Sequence, residues 1–219
     1  MLTLYGVARS RATRPLWLLY EIGMEFTHVP VIQSYRLADP AAADAPLNTA
    51  SPAFLAINPQ GQVPAMADDG LVLTESLAIC LHIARKYGGA LGPQDLAEAA
   101  LAEQWALYAV TGIEAVAIDV LYLYRDGQQD TPEGAVRLAA VAAALQRPLA
   151  RLNAHLAGRD WLMGDRFTVA DIMVAECLRY AAIHKPLLAE VPLAAAWLAR
   201  CQSREGYRKM WAMRLAEPE

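Results

Sequence analysis

Cysteine is scarce in this 219-residue chain and does not pair up: Cys80, Cys177 and Cys201 are odd in number and far apart. That argues against a disulfide framework or a thiolate metal site, and favours reduced, buried thiols. No C-x-x-C occurs, and no cysteine lies near the first helix start, which counts against chemistry that passes through a mixed disulfide. The four histidines, His28, His82, His155 and His184, lack ligand spacing, so no metal is expected. Basic runs are missing as well. With 19 Lys and Arg against 23 Asp and Glu, net charge −4, the chain has no patch for a phosphate backbone, and nucleic acid is not expected as a partner. No uninterrupted apolar run approaches the roughly 20 residues of a membrane-spanning helix, so no membrane association is expected either. The N-terminus, MLTLYGVARS, gains its positive charges only after its short apolar run. It does not resemble a secretory leader, and a cytoplasmic location is the expectation.

What the chain has in quantity is alanine and leucine, within a hydrophobic fraction of 56%, which suits close helix packing in one large domain or two small ones. Leu2 to Tyr5 reads as a strand, Pro15 to Gly23 as a helix, and Phe26 to Ile32 as a strand that Pro30 confines to an edge. Residues 34 to 50 read as a surface loop. Ser51-Pro52 then offers a cap and a first-turn proline for a short helix that Asn58-Pro59 closes. Pro64 to Ala67 and Leu71 to Leu73 flank Asp68-Asp69-Gly70, a hairpin signal, and Glu75 to Lys86 has helical spacing. Beyond a Gly- and Pro-containing linker, helices are expected at about 95–124, 132–157, 169–183 and 192–213, the last broken near Gly206. Thr168-Val-Ala-Asp171 has the spacing of a capping box.

The stretch GQVPAMADDGLVLTES, residues 61 to 76, carries the chemistry. A cis Val63–Pro64 bond would leave the Val63 N–H and C=O free to pair with an extended peptide. Glu75 and Ser76 open a helix, where unpaired N–H groups and a hydroxyl favour a carboxylate and the acid favours an ammonium. That combination suits an α-amino acid end; plain helix capping is the alternative.

The order β-α-β, α, β-β-α is the thioredoxin-like arrangement. Together, YGxxxSRxxRPLWLL from Tyr5, NPQGQVPAM, TES at 74–76 and FTVADI at 167–172 resemble the cytosolic glutathione S-transferases, the serine-type, theta-like or related bacterial members in particular. The resemblance spans nearly the whole chain. It implies an α/β thioredoxin-like domain at 1–85 with cis-Pro64, a linker at 86–93, an all-helical domain at 94–219, and a homodimer. Glutathione would be the co-substrate, held by Glu75 and Ser76 at its γ-glutamyl end and by the Val63 backbone at its cysteinyl part.

A glutathione thiol needs a group that stabilises its thiolate. Ser10, in the S-x-x-x-R run Ser10 to Arg14, resembles the donor of the serine-type members; Tyr5, just before Gly6, is the alternative. Arg11 adds positive potential, with solvated surface charge as the competing role, and Arg14 is expected to brace the domain. Gln62 stands where many relatives carry a lysine for the glycine carboxylate, which implies a neutral hydrogen bond there. Trp105 and Tyr108, with Tyr122, could share one helix face toward a small hydrophobic electrophile, or form core. The implied function is a glutathione transferase acting in detoxification. The alternatives are glutathione-dependent isomerisation or peroxide reduction, and a non-catalytic binding or regulatory module on the same fold.

Overall fold

Strand β1 (Thr3–Tyr5), helix α1 (Thr13–Ile22) and strand β2 (Thr27–Val29) form the first β-α-β unit; α2 (Pro52–Leu55), β3 (Ala65–Asp68), β4 (Leu71–Thr74) and α3 (Ser76–Tyr87) come next. The computed structural model describes residues 1–218. The strands make one sheet in the order β2-β1-β3-β4, with β1 parallel to β2 and antiparallel to β3. β2 therefore lies at an edge, where Pro30 beside it costs no ladder bond. The β3–β4 hairpin turns on Asp69 and Gly70, both at positive φ (49° and 87°), as a two-residue turn that matches the strand twist requires.

On α1, Leu16, Trp17, Leu18 and Leu19 are fully buried, because α1 is packed on more than one side. Asp68 ties the hairpin to α3 by accepting hydrogen bonds from His82 (2.8 Å), Lys86 (2.7 Å) and Tyr87 (2.7 Å). Burial opposes its ionisation, yet these donors outweigh burial and hold the carboxyl well below the usual carboxylate range.

The helices continue with α4 (Leu96–Leu107), a π-helical segment (Tyr108–Glu114), α5 (Ala115–Arg125), α6 (Pro132–His155), α7 (Val169–Ala181), α8 (Lys185–Ala189), α9 (Pro192–Gln202) and α10 (Glu205–Ala216). Every residue of α7 is buried, so its polar groups must be satisfied from within. The capping box forms: the Thr168 hydroxyl accepts from the Ala170 N–H, and the Thr168 N–H donates to Asp171 (2.9 Å). Asp171 also accepts from the Leu162 N–H (2.9 Å) and the Trp197 indole (2.8 Å). Glu176 and Arg179 pair with each other at 2.9 Å.

Several expectations change. Contacts divide the chain into Met1–Gly89 with the segment from Glu205 onward, and Ala90–Arg204, so the helical domain expected at 94–219 gives up its last helix to the first unit. Close packing is the reason. Trp17 and Tyr207 meet edge to face at 4.9 Å, and a Cβ at Gly206 would stand 2.6 Å from Glu21 Cγ. The helix expected at 192–213 with a break near Gly206 does break there, ending at Gln202 and restarting at Glu205, and it runs on to Ala216. Ser51 does not cap α2; its hydroxyl accepts the Asn48 N–H instead. The loop at 34–50 holds a 3₁₀ turn, Ser34–Arg36, and a bridge between Ile32 and Asn48. Finally, Leu96–Arg125 assembles into a helical run long and apolar enough, by length and composition, to cross a membrane. Of its apolar residues, Ile113, Ala117, Val120 and Leu123 are buried in the core of the helical unit, while Leu101, Leu107 and Val110 are exposed.

Candidate functional site

The site is built where β1 ends, α1 begins and β3 starts. Gly6, at φ +138°, allows a close approach: a Cβ there would lie 3.2 Å from both Ala12 Cβ and Val63 Cβ. The Val63–Pro64 bond is cis. Among the described residues, neither the N–H nor the C=O of Val63 is hydrogen-bonded, so this residue presents a backbone edge able to pair with an extended chain. The approach to it is moulded by Asn58, a buried residue that accepts from the Gln60 N–H (3.1 Å) and donates to the Gln62 C=O (2.8 Å). Gly61 is needed in between, since a Cβ would meet the Thr49 carbonyl at 2.7 Å. The side chain of Gln62 is exposed.

At the start of α3, Glu75 sits at φ 65°, ψ 109° without a side-chain cap hydrogen bond. Few non-glycine residues adopt such a backbone, and positions of this kind concentrate at binding sites. Ser76, nearly fully buried, accepts a hydrogen bond from the Arg14 guanidinium at 2.8 Å. A guanidinium only donates, so the serine's own proton remains free to point at an acceptor. The helix N-terminus and the cation behind the serine both favour that acceptor being an anion. Arg14 thus supports the site directly, beyond the bracing role expected for it.

Ser10 lies just before α1. Its hydroxyl accepts the Ala12 N–H (3.0 Å) and donates to the Val7 carbonyl (2.7 Å). Accepting an N–H polarises the hydroxyl, and a rotation about its C–O bond would turn its hydrogen from Val7 to another acceptor. Tyr5, by contrast, packs with Val63 on the cluster of Val31, Phe54 and Ala65, its ring centroid 6.4 Å from that of Phe54. Arg11 is exposed.

Trp105 and Tyr108 take the core placement, the alternative left open for them beside a shared face toward an electrophile. Both are buried in the helical unit, edge to face at 5.3 Å. The Tyr108 hydroxyl donates to the Pro148 carbonyl at 2.6 Å, and the Arg151 guanidinium lies over both rings. Burial pushes the Tyr108 hydroxyl up to about 12, so it holds its proton at neutral pH. Tyr122 is 40% exposed. The π-helical segment between Tyr108 and Tyr122 explains the split, because it rotates α5 out of the phase that continuous α-helical spacing assumes.

The comparisons agree with this architecture. The family model described as "Glutathione S-transferase, N-terminal domain" matches residues 1–85, and "Glutathione S-transferase, C-terminal domain" matches residues 115–205. Glutathione S-transferase 3 of Zea mays is 33% identical over 220 residues, covering 95% of this chain and 92% of the maize protein. Glutathione S-transferase theta-1 of Mus musculus is 32% identical over 165 residues, covering 71% and 68%. The theta class glutathione S-transferase of Xanthomonas axonopodis pv. citri, solved with glutathione bound, superposes with a TM-score of 0.72 at 31% identity over 95% of each chain. The chain belongs to the glutathione S-transferase family and is a glutathione transferase.

Proposed function

We propose that the protein ionises the thiol of bound glutathione and directs it at small hydrophobic electrophiles, with Ser10 as the thiolate donor. The hydroxyl of Ser76, fed from behind by Arg14, receives the γ-glutamyl carboxylate, and Glu75 beside it receives the ammonium. The free N–H and C=O of Val63, before the cis bond to Pro64, pair with the cysteinyl backbone as a strand would. Gln62 offers a neutral amide to the glycine carboxylate, and Arg11 adds positive potential that favours the thiolate. Ser10 is preferred to Tyr5 because its hydroxyl stands at the start of α1, where the helix end favours negative charge, whereas the Tyr5 ring packs on the Phe54 cluster.

Trp105 and Tyr108 enter as packed rings that shape the helical unit and not as proton donors. A homodimer, a cytoplasmic location and a part in detoxification are supported by family likeness. The observation that carries the reading is the Arg14–Ser76 hydrogen bond at an uncapped helix start.

Retention on a glutathione resin together with conjugation of a chloronitrobenzene tests it. Ser10→Ala should lower turnover about 10²-fold, as loss of one donor to a developing anion does, while glutathione affinity changes less than about threefold. Undiminished turnover would pass the role to Tyr5 or to the backbone. Neither retention nor turnover in the unmodified protein would favour the binding module.

A further inference from the structure

The loop that carries Ser10 is held from outside by the far end of the chain. Glu217 accepts hydrogen bonds from the Ala8 N–H (2.6 Å) and the Arg9 N–H (2.7 Å), one to each carboxylate oxygen. The Arg214 guanidinium donates to the Ala8 carbonyl (2.7 Å), and Gln33 donates to the Arg9 carbonyl (3.1 Å). All four backbone polar groups of Ala8 and Arg9 are therefore satisfied by side chains that lie outside the loop. The latch is reinforced where Arg9 Nε donates to the Glu217 carbonyl (2.9 Å) and Arg36 donates to the Pro218 carbonyl (2.8 Å). Val7, which accepts the Ser10 hydroxyl, and Ser10 itself flank the two clamped residues.

A loop of this length lacks a ladder of its own, and its conformation depends on whatever its peptide groups bond to. Two adjacent N–H groups aimed at one carboxylate fix both peptide planes together, with the strength of charge-assisted bonds. The geometry points to Glu217 as a positioning residue for Ser10: its carboxylate orders the loop from Val7 to Ser10 and so sets the aim of the hydroxyl. This rests on the reading of Ser10 given above. A purely electrostatic role would act with the opposite sign, since a carboxylate near a thiolate disfavours it.

The full chain carrying Glu217→Ala or Glu217→Gln separates these cases. Amide hydrogen exchange reports the loop without any ligand. In Glu217→Ala, exchange at Ala8 and Arg9 should rise at least about tenfold, and exchange at Ala12, whose N–H the Ser10 hydroxyl accepts, should rise with it. In the glutathione complex, thiolate absorbance titrated against pH should show a raised thiol pKa, with kcat lowered about tenfold and the KM for glutathione changed less than threefold. Glu217→Gln keeps one acceptor oxygen and should fall between. Faster exchange at Ala8 and Arg9 with Ala12, thiol pKa and kcat all unmoved would reduce Glu217 to a tail fastening and overturn the proposal. A lowered thiol pKa would overturn it in favour of charge. Failure of the unmodified protein to bind glutathione would fall on the proposed function instead, with the Ala12 amide still deciding whether Glu217 positions Ser10.

Discussion

Two helix starts in this molecule use the same chemistry, an acid and a hydroxyl, to opposite ends. At α7, Thr168 and Asp171 satisfy each other's backbone, and Asp171 takes two further donors from Leu162 and Trp197. Nothing is left over for a ligand. At α3, Glu75 makes no cap hydrogen bond and holds a backbone rarely adopted by its residue type, while Ser76 is supplied by Arg14 in a way that leaves its own proton unassigned. The residue types do not separate a helix start closed on itself from one left open; the remaining hydrogen-bonding capacity does.

This contrast can be broken from either side. The largest effect is expected at Asp171. Burial pushes its carboxyl above the ordinary range, against the pull of its donors, and Asp171→Ala would strand three buried N–H groups, for a loss on the order of 4 kcal/mol. Denaturant unfolding measures it, and a loss below about 1 kcal/mol would mean that water or neighbouring groups replace the carboxylate. The smaller effect, of opposite sign, belongs to Glu75. Glu75→Gly should stabilise the protein by about 1 kcal/mol, because glycine accepts positive φ without a steric cost, while glutathione affinity drops with the lost partner for the ammonium. A variant that is no more stable would show that the backbone at Glu75 carries no strain.

Much of the first unit was legible in local sequence. The turn at Asp69-Gly70, the Pro64 strand start and the Glu75-Ser76 helix start are each determined by residues within a few positions. What was hidden depends on distant partners or on phase. The sequence suggests helix at 192–213 with a break near Gly206, but the packing of its last part on α1 rests on Gly206 and Tyr207 meeting Glu21 and Trp17. The phase between Tyr108 and Tyr122 was not legible, because a π segment cannot be recognised from α-helical spacing. In the site, Ser10, Val63 and Ser76 stood out as short motifs. Arg14 as the donor to Ser76, 62 residues away, and Glu217 as the acceptor for Ala8, 209 residues away, did not. Asn58 looked like a helix terminator and proved to shape the loop before Val63.

The most direct test compares one hydroxyl from each helix start. Calorimetric titration of glutathione into Ser76→Ala and Thr168→Ala, each with its melting temperature, should separate the two starts by affinity. Ser76→Ala is expected to lose at least about tenfold in affinity, equivalent to about 1.4 kcal/mol, and also some stability, because the buried Arg14 N–H loses its acceptor. Thr168→Ala should keep its affinity and lose about 1–2 kcal/mol of stability as a missing N-cap. An unaltered dissociation constant in Ser76→Ala would contradict the account, since the α3 start would then be as closed on itself as that of α7.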